Sequence, residues 1–257
     1  MRRPTDPAVG RQSERPALTR DVSRVLAVVA HPDDESFGLG ALLDRFTSCG
    51  IEASVLCFTH GEASTLRNRP GDLANIRAAE LRTAATALGI DTVELLAYPD
   101  GHLGDVAIDE LAHHVRTLIA AVRPSHLLVF DDSGVTGHPD HRRATAAAVA
   151  AARTSGLPVL AWVIPDHVAT VLNDRHGTTF HGLPQAHIDA RLSVSRIRQR
   201  QAIAAHASQA SGNPVLHHRL RLLGDAEHLR LLSPPKESAT PDRVATVPHL
   251  DSGHPDE

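Results

Sequence analysis

An apolar run at residues 25–30 ends abruptly in a histidine, a proline and three consecutive carboxylates, His31-Pro-Asp-Asp-Glu35. A run of this kind predicts a strand that is buried on both faces of a sheet. Open parallel sheets bind their ligands at the carboxyl ends of the strands. The segment therefore predicts a functional site, to which other parts of the chain must contribute.

Further apolar runs of strand length alternate with segments of helical periodicity. Ser36 is the expected N-cap of the first helix, where Gly38 and Gly40 permit close backbone approach. This alternation with short links predicts a Rossmann-like α/β fold with a doubly wound, mostly parallel sheet. The predicted strands are residues 24–30, 53–59, 93–97, 126–130 and 159–164, and the predicted helices are residues 37–48, 72–88, 106–122 and 142–155.

The two ends of the chain differ in composition from this region. Residues 1–22 lack hydrophobic periodicity and are expected to form a disordered leader. Residues 233–257 contain five prolines and are expected to form a disordered tail. Residues 23–232 then form a single α/β domain. Beyond Pro165 the pattern is less regular, and the predicted elements there are short strands at 168–172 and 188–194 and a helix at 195–207.

Composition narrows the class of partner. The 26 basic and 30 acidic residues give a net charge of −4, which offers no electrostatic basis for binding nucleic acid or an anionic membrane. We expect a small-molecule partner, and a homo-oligomer is compatible with the sequence. There is no apolar run of about 18 residues that would span a membrane and no signal-peptide pattern at the N-terminus. Only Cys49 and Cys57 are present, which favours a reducing cytoplasm.

A second strand-end motif completes a possible metal site. The predicted fourth strand runs into a loop that contains His138-Pro-Asp-His141. Zinc in hydrolytic sites takes three ligands from His, Asp or Glu and keeps a fourth position for water, whose pKa falls to about 7. His31, His141 and one aspartate of the first motif satisfy this count. The residues alone do not decide whether Asp33 or Asp34 binds the metal and which one is free to accept a proton.

The His-Pro-Asp tripeptide is a weak signal by itself. The chain has 18 histidines, and the tripeptide recurs at residues 254–256 with no strand before it. An alternative interpretation is that His31 and His138 only cap strand ends while their aspartates begin helices. The functional interpretation depends on the two copies that each follow a buried strand.

These motifs resemble those of the LmbE/PIG-L-like zinc-dependent N-deacetylases. That family has a strand followed by A-H-P-D-D-E, matched without change at residues 30–35, and a later H-P-D-H, matched at residues 138–141. The similarity extends over roughly residues 24–210 and preserves the order of the strands. It implies a Rossmann-like α/β layer with one Zn²⁺ per chain at the carboxyl ends of the strands.

The resemblance also assigns roles to individual residues. It implies that Asp33 is the general base and that His138 is the acid or the oxyanion partner. Asp140 is expected to support the catalytic residues from beside them. The implied zinc ligands are His31, Asp34 and His141.

Three further matches to the family are less specific. Arg77, followed by Glu80, resembles an arginine that binds substrate hydroxyls, although a helical salt bridge between the two is an alternative. Asp100 resembles a sugar-contacting aspartate, but Pro-Asp-Gly is also an ordinary turn. His206 lies in His-Ala-Ser-Gln209, which resembles a late H-x-S-Q of the family and has no assigned role.

Two features depart from the sugar-deacetylating members. Thr136 stands two residues before His138, where some of those members have a tyrosine that helps to hold the tetrahedral intermediate. The chain has a single tyrosine, Tyr98, and five phenylalanines, which predicts little aromatic surface for stacking on sugar rings.

The predicted function is the metal-dependent hydrolysis of an N-acyl group, with acetyl favoured, from an amino sugar or glycoconjugate. Fe²⁺ is an alternative metal, because two histidines and an aspartate suit both ions. One alternative function is an amidase that acts on a larger thiol-type conjugate. A second is a non-catalytic Rossmann module for a nucleotide or sugar, which the lack of G-x-G-x-x-G after the first strand disfavours. A third, a metal-dependent glycosyl or nucleotidyl transferase, lacks a phosphate-binding segment.

Overall fold

One seven-stranded sheet organises the described residues, 16–66 and 72–233, of the computed structural model. The strand order is β3-β2-β1-β4-β5-β7-β6. Strands β1 to β5 pair in parallel, whereas β7 runs antiparallel to both β5 and β6. The predicted doubly wound, mostly parallel sheet is confirmed. The strands are β1 (Arg24–Val29), β2 (Glu52–Thr59), β3 (Thr92–Tyr98), β4 (His126–Phe130), β5 (Val159–Val163), β6 (Ala190–Ser193) and β7 (Ala226–Ser233).

Helices cover both faces of this sheet. None of the helices in the described ranges is long and apolar enough to cross a lipid bilayer. Their bounds are α1 (Asp34–Phe37), α2 (Gly40–Ser48), α3 (Leu73–Leu88), α4 (Ile108–Val122), α5 (Pro139–Ser155), α6 (Asp166–His176), α7 (Ile197–Ala205), α8 (Ala207–Ala210) and α9 (Pro214–Leu223).

Strand β1 lies between β2 and β4 and is buried on both faces, as its apolar sequence predicts. Val25 and Ala27 pack into one core cluster, while Leu26 and Val28 pack into the cluster on the opposite face. Because β1 and β4 are parallel neighbours, their carboxyl ends meet at the point where the strand order reverses. Ligands of doubly wound sheets bind at this point.

The helix after β1 differs from the predicted one, which begins at residue 37. It begins at Asp34, whose carboxylate accepts hydrogen bonds from the backbone N–H groups of Ala30 and His31. Ser36 lies inside α1 and is not its cap. The helical path is then interrupted between α1 and α2. At Gly38, within this interruption, a Cβ atom would lie 2.5 Å from the ring of Phe130. The predicted need for glycine at this position is therefore correct.

The second motif also begins a helix earlier than expected. Helix α5 starts at Pro139, three residues before its predicted start, and His138 is its N-cap. Proline is favoured in the first turn, since its missing N–H would have no helical partner there. His138 accepts a hydrogen bond from the backbone N–H of Asp140 at 3.2 Å. The motif is thus a helix start rather than a loop.

The region after β5 contains the largest errors. Residues 168–172, predicted as a strand, lie within helix α6, because a short apolar run has the same appearance in either element. The strand predicted at 188–194 and the helix at 195–207 are found, slightly shortened, as β6 and α7. Helix α9 and strand β7 are unpredicted. Within the predicted leader, a 3-10 helix covers Ala17–Thr19 and Val22 is buried. Residues 1–15 of that leader and residues 234–257 of the predicted tail lie outside the described residues.

Candidate metal centre

The two strand-end motifs meet above the carboxyl ends of β1 and β4. The ring centroids of His31 and His138 lie 4.7 Å apart, and His141 lies 5.1 Å from each of them. His31 and His141 are buried, whereas His138 is half-buried. The structure thus brings His31 together with two histidines that lie more than one hundred residues away in the sequence.

Three ligand-type atoms converge on the Nδ1 side of His31. His31 Nδ1 lies 3.2 Å from His141 Nε2, and Asp34 Oδ1 lies 3.1 Å from the same His141 nitrogen. Asp34 Oδ2 lies 3.6 Å from His31 Nδ1. Zinc bonds of about 2.0–2.1 Å in a tetrahedral site would place ligand atoms about 3.3 Å apart. The spacing of these atoms therefore fits a zinc ion. His138 also lies close enough to share an ion with His31 and His141.

Two carboxylates occupy the opposite side of the His31 ring. Nε2 lies 3.0 Å from Asp100 Oδ1 and 3.4 Å from Asp140 Oδ2. The carboxylate of Asp140 is fully buried and accepts the backbone N–H groups of Gly101 and Leu103. Asp100, predicted to contact sugar, lines the cavity but also touches His31 directly. Carboxylates in such positions fix a ligating imidazole and increase its basicity.

The outer nitrogen of His141 has neutral partners. Nδ1 lies 2.9 Å from the hydroxyl of Thr136 and 3.2 Å from the carbonyl oxygen of Gly134. A carbonyl can only accept, so this geometry assigns the hydrogen to Nδ1 and leaves the Nε2 lone pair facing Asp34 and His31. Thr136, which replaces the family's tyrosine, therefore orients a candidate metal ligand.

The electrostatics of the site favour a cation. Burial opposes charge on His31, but contacts with Asp100, Asp140 and Asp34 outweigh it and raise the pKa of His31 well above its ordinary value. Burial likewise opposes charge on Asp34, but His141 and His31 hold its pKa well below the usual range. The same negative potential that stabilises a protonated imidazole would stabilise a divalent metal ion.

Asp33 stands apart from the converging ligand atoms. Its side chain is 15% exposed and its Oδ2 lies 3.0 Å from Nη2 of Arg77, which also donates to the carbonyls of Pro32 and Gly61. Burial raises the pKa of Asp33 to about 6, against the opposing effect of Arg77. The carboxylate of Glu80 binds Ser208 instead. The alternative of a helical Arg77–Glu80 salt bridge is therefore wrong, and contact of Arg77 with substrate stays a prediction.

His138 presents one nitrogen to the protein and leaves the other available. Its Nδ1 accepts the N–H of Asp140, so the neutral ring carries its hydrogen on Nε2. Burial, together with the neighbouring His31 and His141, lowers the pKa of His138. A neutral imidazole with an available N–H group suits the donation of a hydrogen bond to an oxygen that gains negative charge.

A cavity of about 490 Å³ adjoins these residues. Its lining includes Asp33, Arg77, Asp100 and all three histidines of the cluster. Three of the five phenylalanines in the chain also line it, and they are Phe37, Phe130 and Phe180. The prediction of little aromatic surface at the site is therefore wrong, because the few aromatic residues are concentrated around the cavity.

Arg219 also forms part of the cavity wall, and it was not predicted as a site residue. It lies on α9, is 5% exposed, stacks 5.0 Å above the Trp162 ring and donates to the carbonyl of Phe37. Burial lowers its pKa to about 10. The sequence offered no signal for it, since α9 itself was not predicted and the contact with α1 spans more than 180 residues.

Fold and site together define a Rossmann-like α/β protein with a histidine–aspartate site, suited to a metal ion, at the switch point of its sheet. The family described as PIG-L, GlcNAc-PI de-N-acetylase, matches residues 26–152. This match of residues 26–152 to the PIG-L (LmbE-like) family agrees with the resemblance that the motifs predict, and both motifs lie within the matched region.

Its similar proteins include named deacetylases. The chain is 33% identical over 179 residues, 60% of its length, to 1D-myo-inositol 2-acetamido-2-deoxy-alpha-D-glucopyranoside deacetylase 1 of Catenulispora acidiphila, of which it covers 54%. It is 29% identical over 239 residues, 73% of its length, to the deacetylase of the same substrate name from Thermobifida fusca, of which it covers 84%. The chain thus spans about half the length of the first of these relatives.

A solved structure shares the fold. That of the antimicrobial reagent A40926 pseudoaglycone deacetylase Dbv21 aligns with a TM-score of 0.64 and 22% identity, over 84% of this chain and 100% of that one. At this identity the likeness establishes the architecture and leaves the reaction to be argued from the site.

Proposed function

We propose that this protein is a zinc-dependent N-deacetylase that hydrolyses the acetamido group of a small amino sugar or amino-sugar conjugate. The observation that carries the proposal is the convergence of His31 Nδ1, His141 Nε2 and the Asp34 carboxylate, at 3.1–3.6 Å from one another, in a cavity that Asp33 also lines. The names of the two relatives, both deacetylases of a 2-acetamido sugar, support this choice of substrate.

The donor set fits a metal with one position left for chemistry. His31, Asp34 and His141 would hold it, with the carboxylates beside His31 Nε2 orienting that ring. A zinc ion in such a set supplies Lewis acidity toward an amide carbonyl and lowers the pKa of a water molecule. Fe²⁺ remains a second candidate, because the same donors suit it.

Asp33 is the proposed general base. Its carboxylate lines the cavity, and the ion pair with Arg77 fixes the direction in which it points. A general base is most effective when its pKa lies near the working pH, and the burial that raises the pKa of Asp33 to about 6 moves it in that direction. Asp33 takes a proton from water as the new C–O bond forms.

His138 is the proposed partner of the developing charge. The Nε2–H of its neutral ring donates a hydrogen bond to the oxygen of the tetrahedral intermediate. The proton that Asp33 took from water passes to the departing amine as the C–N bond breaks. Asp140 is fully buried, so we assign it a supporting role for His31 and His138 and no contact with substrate. Arg77 and Asp100 remain the candidates for substrate contact, since both line the cavity.

The cavity suits a small substrate. Its volume of about 490 Å³ falls within the range of about 300–1,000 Å³ typical of small-molecule sites. Its aromatic wall offers an apolar surface to one side of a sugar ring or acyl group.

We propose the cytoplasm as the location, because Cys49 and Cys57 are both free.

Release of a primary amine tests this function. The purified protein, stripped with a chelator and reloaded with Zn²⁺ or Fe²⁺, is incubated with acetylated amino sugars, their inositol conjugates and amides of larger thiol conjugates. We expect zinc-dependent amine release from an acetamido sugar, with little from the thiol conjugates. Stoichiometric zinc without amine release from any substrate would instead favour a non-catalytic binding module.

A further inference from the structure

The segment His206–Gln209, here called the clasp and comprising His206, Ala207, Ser208 and Gln209, has no part in the reaction proposed above. Nevertheless, each of its three polar side chains binds a different element around the cavity. His206 Nε2 lies 2.7 Å from Glu35 Oε1 on α1, and Ser208 donates through its N–H and its hydroxyl to Glu80 on α3. The segment follows the region matched by the family, which ends at residue 152.

The third contact of the clasp holds the loop after β2. Gln209 accepts a hydrogen bond from the Ser64 hydroxyl at 2.7 Å and donates to the carbonyl of Leu66 at 3.2 Å. Both Ser64 and Leu66 line the cavity. One four-residue segment therefore joins α1, α3 and this loop.

Burial makes these contacts energetically significant. His206 and Ser208 are fully buried, and Gln209 is 3% exposed. Buried polar groups are costly unless they form hydrogen bonds, so the clasp is stable only while its partners stay in place. Within the described ranges Nδ1 of His206 has no hydrogen-bond partner, so the hydrogen bond of this ring is the one that Nε2 forms with Glu35.

Glu35 connects His206 to the proposed base. Its Oε1 also accepts a hydrogen bond from the Ser36 hydroxyl, while its Oε2 accepts the backbone N–H of Asp33 at 2.9 Å. Glu35 is fully buried, so water does not compete for either oxygen. The carboxylate thus bridges the imidazole of His206 and the main chain of Asp33.

The backbone of Asp33 requires such a restraint. Its φ of 124° and ψ of −25° lie in a region that residues other than glycine rarely adopt. Strain of this kind persists only where the surroundings hold it, and it is concentrated at functional sites. The N–H bond to Glu35 holds the main chain, and Arg77 holds the carboxylate from the other side.

We propose that His206 is a positioning residue, which acts through Glu35 to keep Asp33 in the positive-φ conformation that directs its carboxylate into the cavity. Ser208 and Gln209 fix α3 and the β2 loop in the same frame. The proposal rests on the proposed function, in which Asp33 is the general base. In this proposal the clasp aligns the general base Asp33 and takes no part in binding the metal.

Paired substitutions in the zinc-loaded full chain test this role. His206→Leu keeps much of the volume but removes the donor, whereas the Nε2 amide of His206→Gln can still donate to Glu35. Misplacement of a reacting group by about 1 Å costs about 100-fold in rate. We therefore expect His206→Leu to lower kcat by about this factor with KM and zinc content nearly unchanged, and His206→Gln to regain at least about tenfold of the loss.

A matched control is His126→Leu, which removes another buried histidine from β4 at a site remote from α1. We expect it to leave kcat within about twofold, as substitutions away from the site do. Glu35→Gln provides a second test if His206→Leu does not fold, because it is isosteric and leaves one acceptor oxygen for the three donors His206, Ser36 and Asp33. It should lower kcat while zinc stays bound.

A structural measurement separates this proposal from the proposed function. In crystals of His206→Leu or Glu35→Gln we expect Asp33 to relax to negative φ, whether or not the substrate has been identified. Unchanged φ with unchanged kcat would overturn the proposal, as would a parallel loss of kcat and zinc in His206→Leu that His206→Gln does not reverse. Absence of amine release from the wild type would contradict only the deacetylase function.

Discussion

The two sides of the His31 ring carry different chemistry. On the Nδ1 side lie a nitrogen of His141 and the carboxylate of Asp34, both close to the cavity. On the Nε2 side lie Asp100 and the fully buried Asp140. In the proposed site one imidazole therefore serves two purposes: Nδ1 would bind the metal, and the carboxylates at Nε2 would fix the ring.

Distances between ligand atoms do not by themselves decide on which side of the His31 ring the metal would bind. His31, Asp100 and Asp140 also lie close enough to share an ion. Main-chain N–H groups donate to carboxylate oxygens on both sides of the ring, but on the Nε2 side both candidate partners of His31 are carboxylates. The Nδ1 side instead offers a second imidazole nitrogen whose lone pair faces the cluster, which is the donor that zinc prefers.

The largest expected effect is that of His141→Ala. It removes a ligand from the Nδ1 side, so zinc affinity should fall by more than the roughly 10–100-fold that loss of an outer partner costs. Zinc content after gel filtration and amine release should disappear together. His167→Ala, at a side chain that is 75% exposed, is the control and should retain both. Full zinc content in His141→Ala would exclude this ligand.

Asp33→Asn should separate metal binding from catalysis. The amide cannot accept the proton of water, so kcat should fall by about 10²–10⁴-fold while zinc content and KM stay nearly constant. Asp132→Asn, at an exposed aspartate that follows β4, is the matched control. Near-normal turnover in Asp33→Asn would show that another group accepts the proton.

Asp100→Asn examines the Nε2 side directly. Removing one carboxylate from this side should weaken zinc binding by about 10–100-fold. Activity still missing at saturating zinc would report the contact of Asp100 with substrate. Competition with a chelator of known affinity measures the change. If Asp100→Asn abolished zinc binding as completely as His141→Ala, the metal would lie on the Nε2 side.

Thr136→Val should have the smallest effect in the series. It removes a neutral hydroxyl from Nδ1 of His141, while the carbonyl of Gly134 remains 3.2 Å from the same atom. A hydrogen bond of this kind contributes about 0.5–1.5 kcal/mol, so zinc affinity should fall by no more than about tenfold. If Thr136→Val lowered zinc affinity more than Asp100→Asn does, the neutral partner of His141 would be more important than the charged partner of His31.

The predictable part of the molecule is the part in which burial and strand ends determine position. Strand β1 is apolar throughout, so its burial on both faces and the location of His31 at its end follow from the sequence. The parallel pairing of β1 with β4 then brings His141 to the same place. Asp34 and Asp33 were distinguished only by the family resemblance, since adjacent carboxylates in a turn differ in backbone geometry that no pattern encodes.

The unpredictable part consists of contacts between distant segments. Asp100 reaches His31 because β3 lies two strands from β1, which only the completed sheet reveals. The pairing of His206 with Glu35 spans 171 residues and has no periodic signal. Strand β7 carries Glu227 and Arg230 among its apolar residues, and the buried Glu227 forms an ion pair with Arg196 and accepts a hydrogen bond from the Trp162 indole. Such a buried ion pair cannot be predicted from sequence periodicity, because its two partners lie far apart in the chain.

Anomalous diffraction from crystals of the zinc-loaded protein, collected on both sides of the zinc absorption edge, locates the metal relative to the His31 ring. We predict a single strong peak within bonding distance of His31 Nδ1, His141 Nε2 and the Asp34 carboxylate, with Asp33 unbound. A peak among His31 Nε2, Asp100 and Asp140 would contradict the account.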